Sequence, residues 1–204
     1  LSSVSGAIHR SLDFYYLCYD NEAYGNTGFQ MSSATPFGSQ TATSRPTEHK
    51  LAATLQHKKD LFEIWRAHGP PYIATLSTAE PVDLADKVRR AGQFHGPKLF
   101  TAFAVCPPGW GYDPSLGHEI AKLALDTGVW PLKEAIRGEV RHTYVLDRRR
   151  PVEDYLRTQR RFAHLFVPKR QTEILDKIQG AVDAYWNNVA QRELLREGQS
   201  RRGG

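Results

Sequence analysis

The stretch YIATLSTAEPVDLADKVRRAGQFHGPKLFTAFAV, residues 72–105, decides the fold. It opens on YIATL (72–76), an apolar run of strand length bounded by a polar turn. VDLADKVRRAGQF (82–94) then spaces Leu84, Val88 and Ala91 by three and four residues, so they share one face of a helix. KLFTAFAV (98–105) is a second apolar run. Strand, helix, strand is the βαβ unit: parallel strands cannot be joined by a tight turn, and the helix supplies the crossover. Upstream, FYYLC (14–18) reads as another buried strand, and residues 3–12 as the tail of a helix through Val4, Ala7, Ile8 and Leu12. HKKDLFEIWRAH (57–68) is predicted to be helical, with Leu61, Ile64 and Trp65 inward. The predicted class is therefore α/β, a parallel sheet with flanking helices.

Downstream the pattern changes. Residues 118–127 read as a helix, 128–144 as a turn and short hairpin, and 151–165 and 172–197 as amphipathic helices, the last with Leu175, Ile178, Val182, Tyr185 and Trp186 as its apolar stripe. This divides the chain into an α/β domain over 1–132 and a hairpin with a helical extension over 133–204. Residues 201–204 (RRGG) read as a frayed tail. The chain opens without Met, its one methionine is Met31, and its first segment reads as a helix already under way. The natural beginning is expected upstream of Leu1.

Composition excludes several classes. With 40% hydrophobic and 24% charged residues the 204-residue chain is neither disordered nor low-complexity, and its apolar runs are too short for a membrane helix. The opening residues lack a secretory signal, and two cysteines, Cys18 and Cys106, cannot form a disulfide framework. A reducing, cytoplasmic setting is expected. The net charge of +5 is uneven: residues 1–132 hold 11 Lys and Arg against 12 Asp and Glu, and residues 133–204 hold 16 against 10. A uniformly basic nucleic-acid-binding domain is not expected.

In parallel α/β sheets ligands lie beyond the carboxyl ends of the strands. Those ends are residues 20–26, the turn near Ser77, and CPPGW (106–110). The first leads into residues 25–47, rich in Gly, Ser, Thr, Asn and Pro, a length of loop usually kept for function or left disordered. An Asn side-chain oxygen and a backbone carbonyl two residues later, as at Asn21 and Ala23, can serve Mg²⁺, which takes few protein ligands and completes its shell with phosphates and water. The same residues also read as an Asx turn in which Asp20 and Asn21 satisfy nearby backbone groups. Cys106 alone reads as a structural thiol, and Cys18 as a core residue. Lys58 and Lys59 read as a solvated first turn ahead of Asp60 or as a functional contact. Arg148 to Arg150 and the pair Arg160 and Arg161 read as solvated faces. The histidines show no ligand spacing.

The string CYDNEAYGNTGFQMSSATPFGS (18–39) resembles the cofactor loop of the thiamine diphosphate subunit of 2-oxoacid:ferredoxin oxidoreductases of the pyruvate synthase type. The resemblance continues through HKKD (57–60), AHGPPYIAT (67–75), GPKLF (96–100), CPPGW (106–110), LALDTGVWPL (123–132) and PVEDYLRTQRRF (151–162). It implies the thiamine diphosphate-binding fold. It further implies that Asn21 binds Mg²⁺ through its side chain and Ala23 through its carbonyl, and that Asn26, the catalytic candidate, lies near thiazolium and substrate. Tyr24, Thr27 and Gly28 would shape the cofactor loop, and Cys106 would complete a [4Fe-4S] cluster whose other ligands lie outside this chain.

The implied reaction is oxidative decarboxylation of a 2-oxoacid, pyruvate above all, to an acyl-CoA and CO₂, with electrons passing to iron–sulfur clusters and then to ferredoxin or another acceptor. Partner subunits would complete the site. The family's Gly-Asp-Gly, with its acidic Mg²⁺ ligand, and its further cluster cysteines would precede Leu1. Gly25 and Phe29 depart from the commonest family residues, a larger side chain and a glycine. Two other readings stand beside this one: a thiamine-dependent non-oxidative decarboxylase or ligase on the same fold, and a non-catalytic basic interaction module in the last third.

Overall fold

The computed structural model describes residues 2–200, and the side chains of residues 2–192. Leu1 and the predicted frayed tail at 201–204 lie outside the described residues. Strands β1 (Phe14–Asp20), β2 (Tyr72–Ser77) and β3 (Pro97–Phe103) form a parallel core in the order β1-β3-β2. Helix α3 (Pro81–Ala91) is the crossover between β2 and β3. It starts on a proline, whose fixed φ and missing N–H suit a first helical position.

The sheet continues past the parallel core. β4 (Lys133–Ile136) pairs antiparallel with β2, and β5 (Glu139–His142) pairs antiparallel with β4, giving the order β1-β3-β2-β4-β5. The two strands are joined at Arg137 and Gly138, both at positive φ (50° and 88°), the conformation that matches strand twist in a two-residue hairpin turn.

One face of the sheet buries Ile73 and Leu99 against Ile8 of α1 (Ser2–His9) and Phe62 and Trp65 of α2 (Leu61–Arg66). The other packs Tyr72, Ala74, Leu76 and Phe100 against Ala91 and Leu84 of α3. The largest core lies around the carboxyl ends of the strands. There Phe103, Trp110 and Trp130 meet α5 (Gly117–Asp126), α6 (Val152–Leu156) and the first turns of α7 (Thr172–Ser200).

Three expectations are corrected. β1 is not buried on both faces: Tyr15, Leu17 and Tyr19 are 53%, 58% and 69% exposed, because among the described residues no element covers that side of this edge strand. The 57–68 helix begins only at Leu61, because the Asp60 side chain accepts the Glu63 N–H at 3.1 Å and fixes the N-cap there. The 151–165 helix is two pieces, α6 and a 3₁₀ segment over Arg160–Leu165. Among the described residues no helix is long and apolar enough to cross a membrane.

Candidate functional site

Asp20 and Phe103 end β1 and β3 in register, and the Asp20 carbonyl accepts the Ala104 N–H at 3.0 Å. The segments that follow, residues 21–30 and 104–110, therefore leave the sheet side by side. In the first, Asn21 Oδ1 accepts the Ala23 N–H at 3.3 Å, the Asx turn anticipated from the sequence. Tyr24 and Gln30 then exchange backbone hydrogen bonds at 3.0 and 3.2 Å, and Gly28, at φ 110°, closes the turn between them. The Thr27 hydroxyl donates to the Gln30 side chain, whose amide donates to the Thr27 carbonyl at 2.7 Å. Residues 24–30 thus form a braced finger with Asn26, Thr27 and Gly28 exposed at its tip.

The second segment carries Cys106, half-buried, at the N-cap of the one-turn helix α4 (Pro107–Trp110). Two glycines let the segments approach. A Cβ added to Gly25 would stand 2.7 Å from Asn21 Nδ2 and 4.0 Å from Cys106 Sγ. One added to Gly109 would stand 3.1 Å from Cys106 Sγ and overlap the Phe29 ring. Phe29 is buried although its φ is 66°, a region that disfavours side chains. The fully buried Trp110 donates its indole N–H to the Asn21 carbonyl at 3.0 Å.

Behind the finger lies a charged cluster. Lys58 Nζ is 2.8 Å from Asp20 Oδ2 and 2.9 Å from Glu22 Oε1, and an Arg161 guanidinium nitrogen is 2.6 Å from Glu22 Oε2. The Asp20, Glu22 and Arg161 side chains are almost fully buried, and Lys58 is partly exposed. Arg161 lies 3.8 Å from the Trp110 ring centroid and Lys58 4.9 Å from that of Trp130, with Phe103 packed against both tryptophans. Burial pushes the Asp20 carboxyl above its ordinary value, with the Lys58 attraction only partly offsetting it. Burial also acts to raise Glu22, but the Lys58 and Arg161 charges win and hold it below the usual carboxylate range.

The structure brings Asn21, Ala23, Tyr24, Asn26, Thr27 and Gly28 onto one loop and sets Cys106 beside it. The reading of Arg161 as a solvated face is corrected, since it is buried against Glu22, and so is that of Lys58 as a solvated first turn, since it precedes α2 and pairs with Asp20 and Glu22. Both pairings span long stretches of chain, and no local spacing signals them. Among the described residues no group of three or more His, Cys, Asp or Glu could hold a metal ion. Asp20 and Glu22 are already committed to cations, so the loop offers a cation neutral oxygens, among them those of the Asn21 amide and the backbone. That donor set fits Mg²⁺ when phosphates supply the remaining ligands. Cys106 fits as one thiolate of a cluster completed elsewhere.

Residues 1–102 match the family described as thiamine pyrophosphate enzyme, C-terminal TPP binding domain. The chain is 46% identical over 187 residues to the pyruvate synthase subunit PorB of Methanosarcina barkeri, covering 92% of this chain and 62% of the relative. It is 38% identical over 179 residues to the ketoisovalerate oxidoreductase subunit VorB of Pyrococcus horikoshii, covering 87% of this chain and 57% of the relative. It thus spans about three-fifths of the length of the curated relatives it matches. Among solved structures, a chain of the 2-oxoglutarate:ferredoxin oxidoreductase from Magnetococcus marinus overlaps 52% of this chain and 35% of its own at a TM-score of 0.46 and 20% identity, too slight a likeness to argue from. On the family match and the similarity to PorB, the chain belongs to the thiamine pyrophosphate enzymes and carries their C-terminal TPP-binding domain.

Proposed function

We propose that the chain forms the cofactor-binding part of a 2-oxoacid:ferredoxin oxidoreductase subunit of the pyruvate synthase type, acting within a cytoplasmic multi-subunit complex. One observation carries this reading: the Asn21–Gly28 loop and Cys106 converge at the carboxyl ends of adjacent parallel strands, in a chain similar to PorB over nearly its whole length. Residues 1–132 would hold the cofactor, and residues 133–204 would add the hairpin and helical extension.

When bound, thiamine diphosphate supplies the electron sink that decarboxylation of a 2-oxoacid needs. The protein's part is placement. The Asn21 side chain and the Ala23 carbonyl would hold Mg²⁺ on the diphosphate. Tyr24, Thr27 and Gly28 would contour the loop, and Asn26, at the exposed finger tip, would present its amide to the substrate. Cys106 would contribute one thiolate to a [4Fe-4S] cluster, keeping the electron acceptor next to the loop. Ferredoxin or a similar carrier, coenzyme A and the other subunits complete the system.

The test is reduction of a low-potential acceptor by the full complex with pyruvate and coenzyme A, run beside iron analysis. Acceptor reduction that requires thiamine diphosphate, with iron present and lost in Cys106→Ser, supports the reading. Carbon dioxide release without acceptor reduction, in a complex free of iron, overturns it in favour of non-oxidative chemistry. Faster turnover of a branched 2-oxoacid than of pyruvate would overturn the substrate assignment alone.

A further inference from the structure

Glu22 stands between Asn21 and Ala23, the two residues assigned above to Mg²⁺, and it takes a backbone conformation that glutamate rarely adopts, φ 65°. Left-handed backbone at a residue with a side chain costs about 1 kcal/mol or more, and it persists only where its surroundings over-determine it. Here they do so at the backbone N–H, at the carbonyl and, through ion pairs, at the carboxylate. The Glu22 N–H donates to Asp20 Oδ1 at 3.0 Å, its carbonyl accepts the Thr35 hydroxyl at 2.8 Å, and its carboxylate is gripped by Lys58 and Arg161. The same Arg161 lies on the face of Trp110, and Trp110 donates to the Asn21 carbonyl. The Asn21 turn is therefore held from both sides, through the chain by Glu22 and through space by Trp110.

Stability does not account for so much buried charge. Well-packed apolar residues of similar volume commonly match or exceed a buried ion pair, but here the guanidinium that meets Glu22 at 2.6 Å is itself fixed by the Gln159 side chain, the Tyr155 hydroxyl and the Trp110 face, so the charge contact has one geometry. We propose that Glu22 and Arg161 are positioning residues for the bound cation: their ion pair locks the left-handed turn that aims the oxygens of Asn21 and Ala23. The inference rests on the cofactor reading above and goes beyond it, because neither residue need touch cofactor or substrate. Removing a group that orients a metal ligand typically weakens the metal about tenfold to a hundredfold.

The experiment is titration calorimetry of thiamine diphosphate into the full apo-complex at low and at saturating Mg²⁺, for the wild type, Glu22→Gln and Arg161→Lys. Glu22→Gln keeps the shape and removes the charge, and Arg161→Lys keeps the charge and removes the planar stack on Trp110. The expected result is an apparent affinity for thiamine diphosphate at least about tenfold weaker at low Mg²⁺ for Glu22→Gln, and at least about threefold weaker for Arg161→Lys. Both deficits should shrink at saturating Mg²⁺, with coenzyme A affinity unchanged. A purely structural role would move both ligands and would not respond to Mg²⁺. Wild-type affinity in the two variants, or a deficit that Mg²⁺ leaves unchanged, overturns the inference. Should Glu22→Gln fail to assemble, Arg161→Lys decides by the same criteria. A wild-type complex that takes up no thiamine diphosphate would instead overturn the cofactor reading and this inference with it.

Discussion

The Arg161 guanidinium lies 3.8 Å from the centroid of the Trp110 ring while one of its nitrogens closes to 2.6 Å on Glu22. These two contacts tie the 3₁₀ segment over Arg160–Leu165 to both loops at the carboxyl edge of the sheet, so residues far apart in the chain share one charge balance.

Removal of Arg161 should therefore cost more than a surface arginine would. Arg161→Met strands part of the charge of a buried carboxylate, a loss of about 3–5 kcal/mol. Urea denaturation of the chain measures it. Glu22→Gln introduced in the Arg161→Met background should cost less than it does alone, with a coupling of about 1–3 kcal/mol. Additive losses would mean that the two side chains act independently.

Gly109 and Phe29 form a second coupled pair. A methyl at Gly109 would overlap the Phe29 ring, so Gly109→Ala is expected to destabilise the chain by about 1–3 kcal/mol. In a Phe29→Gly background the ring overlap is gone and the residue at φ 66° is relaxed, so the same Gly109→Ala change should cost less, leaving only the 3.1 Å approach to Cys106 Sγ. Thermal unfolding of the two single variants and the double variant completes the cycle.

Glu134 sets an acid limit on stability. It is fully buried and accepts hydrogen bonds from Tyr72, Arg90 and Arg141. Burial acts to raise its carboxyl, but these donors prevail and hold it below the ordinary value. A lowered carboxylate pKa contributes stability that is complete above the unfolded value of about 4.3 and is lost as pH falls through the folded value. Stability measured by denaturant titration should therefore decline below about pH 4.3. Glu134→Gln should be less stable at neutral pH and show a smaller part of that decline; an unchanged profile would remove Glu134 from the explanation.

The parallel core was legible because residues 72–105 alternate strand and helix patterns so cleanly, and the irregular loop after β1 was legible in its run of Gly, Ser, Thr, Asn and Pro. Burial of charge was not. Lys58 and Arg161 sit in runs that look like solvated faces, and the carboxylates that balance their charge are distant in sequence. Nor could FYYLC reveal its exposed side, because an apolar residue on a strand reads the same whether or not something covers it. The break between α6 and the following 3₁₀ segment likewise involves a tertiary bond, the Arg160 N–H donating to the Gly111 carbonyl at 3.3 Å, beside a local one in which the Gln159 side chain donates to the Tyr155 carbonyl at 2.8 Å.

The proposed role of the Asn21–Gly28 finger as cofactor loop makes the Asn21 amide a determinant of cofactor affinity. Calorimetric titration of thiamine diphosphate into the full complex, wild type against Asn21→Ala, decides this. Mg²⁺-dependent binding of one cofactor per chain is expected, weakened about tenfold or more when the Asn21 amide is removed. Equal affinity in the two proteins, or binding indifferent to Mg²⁺, would contradict it.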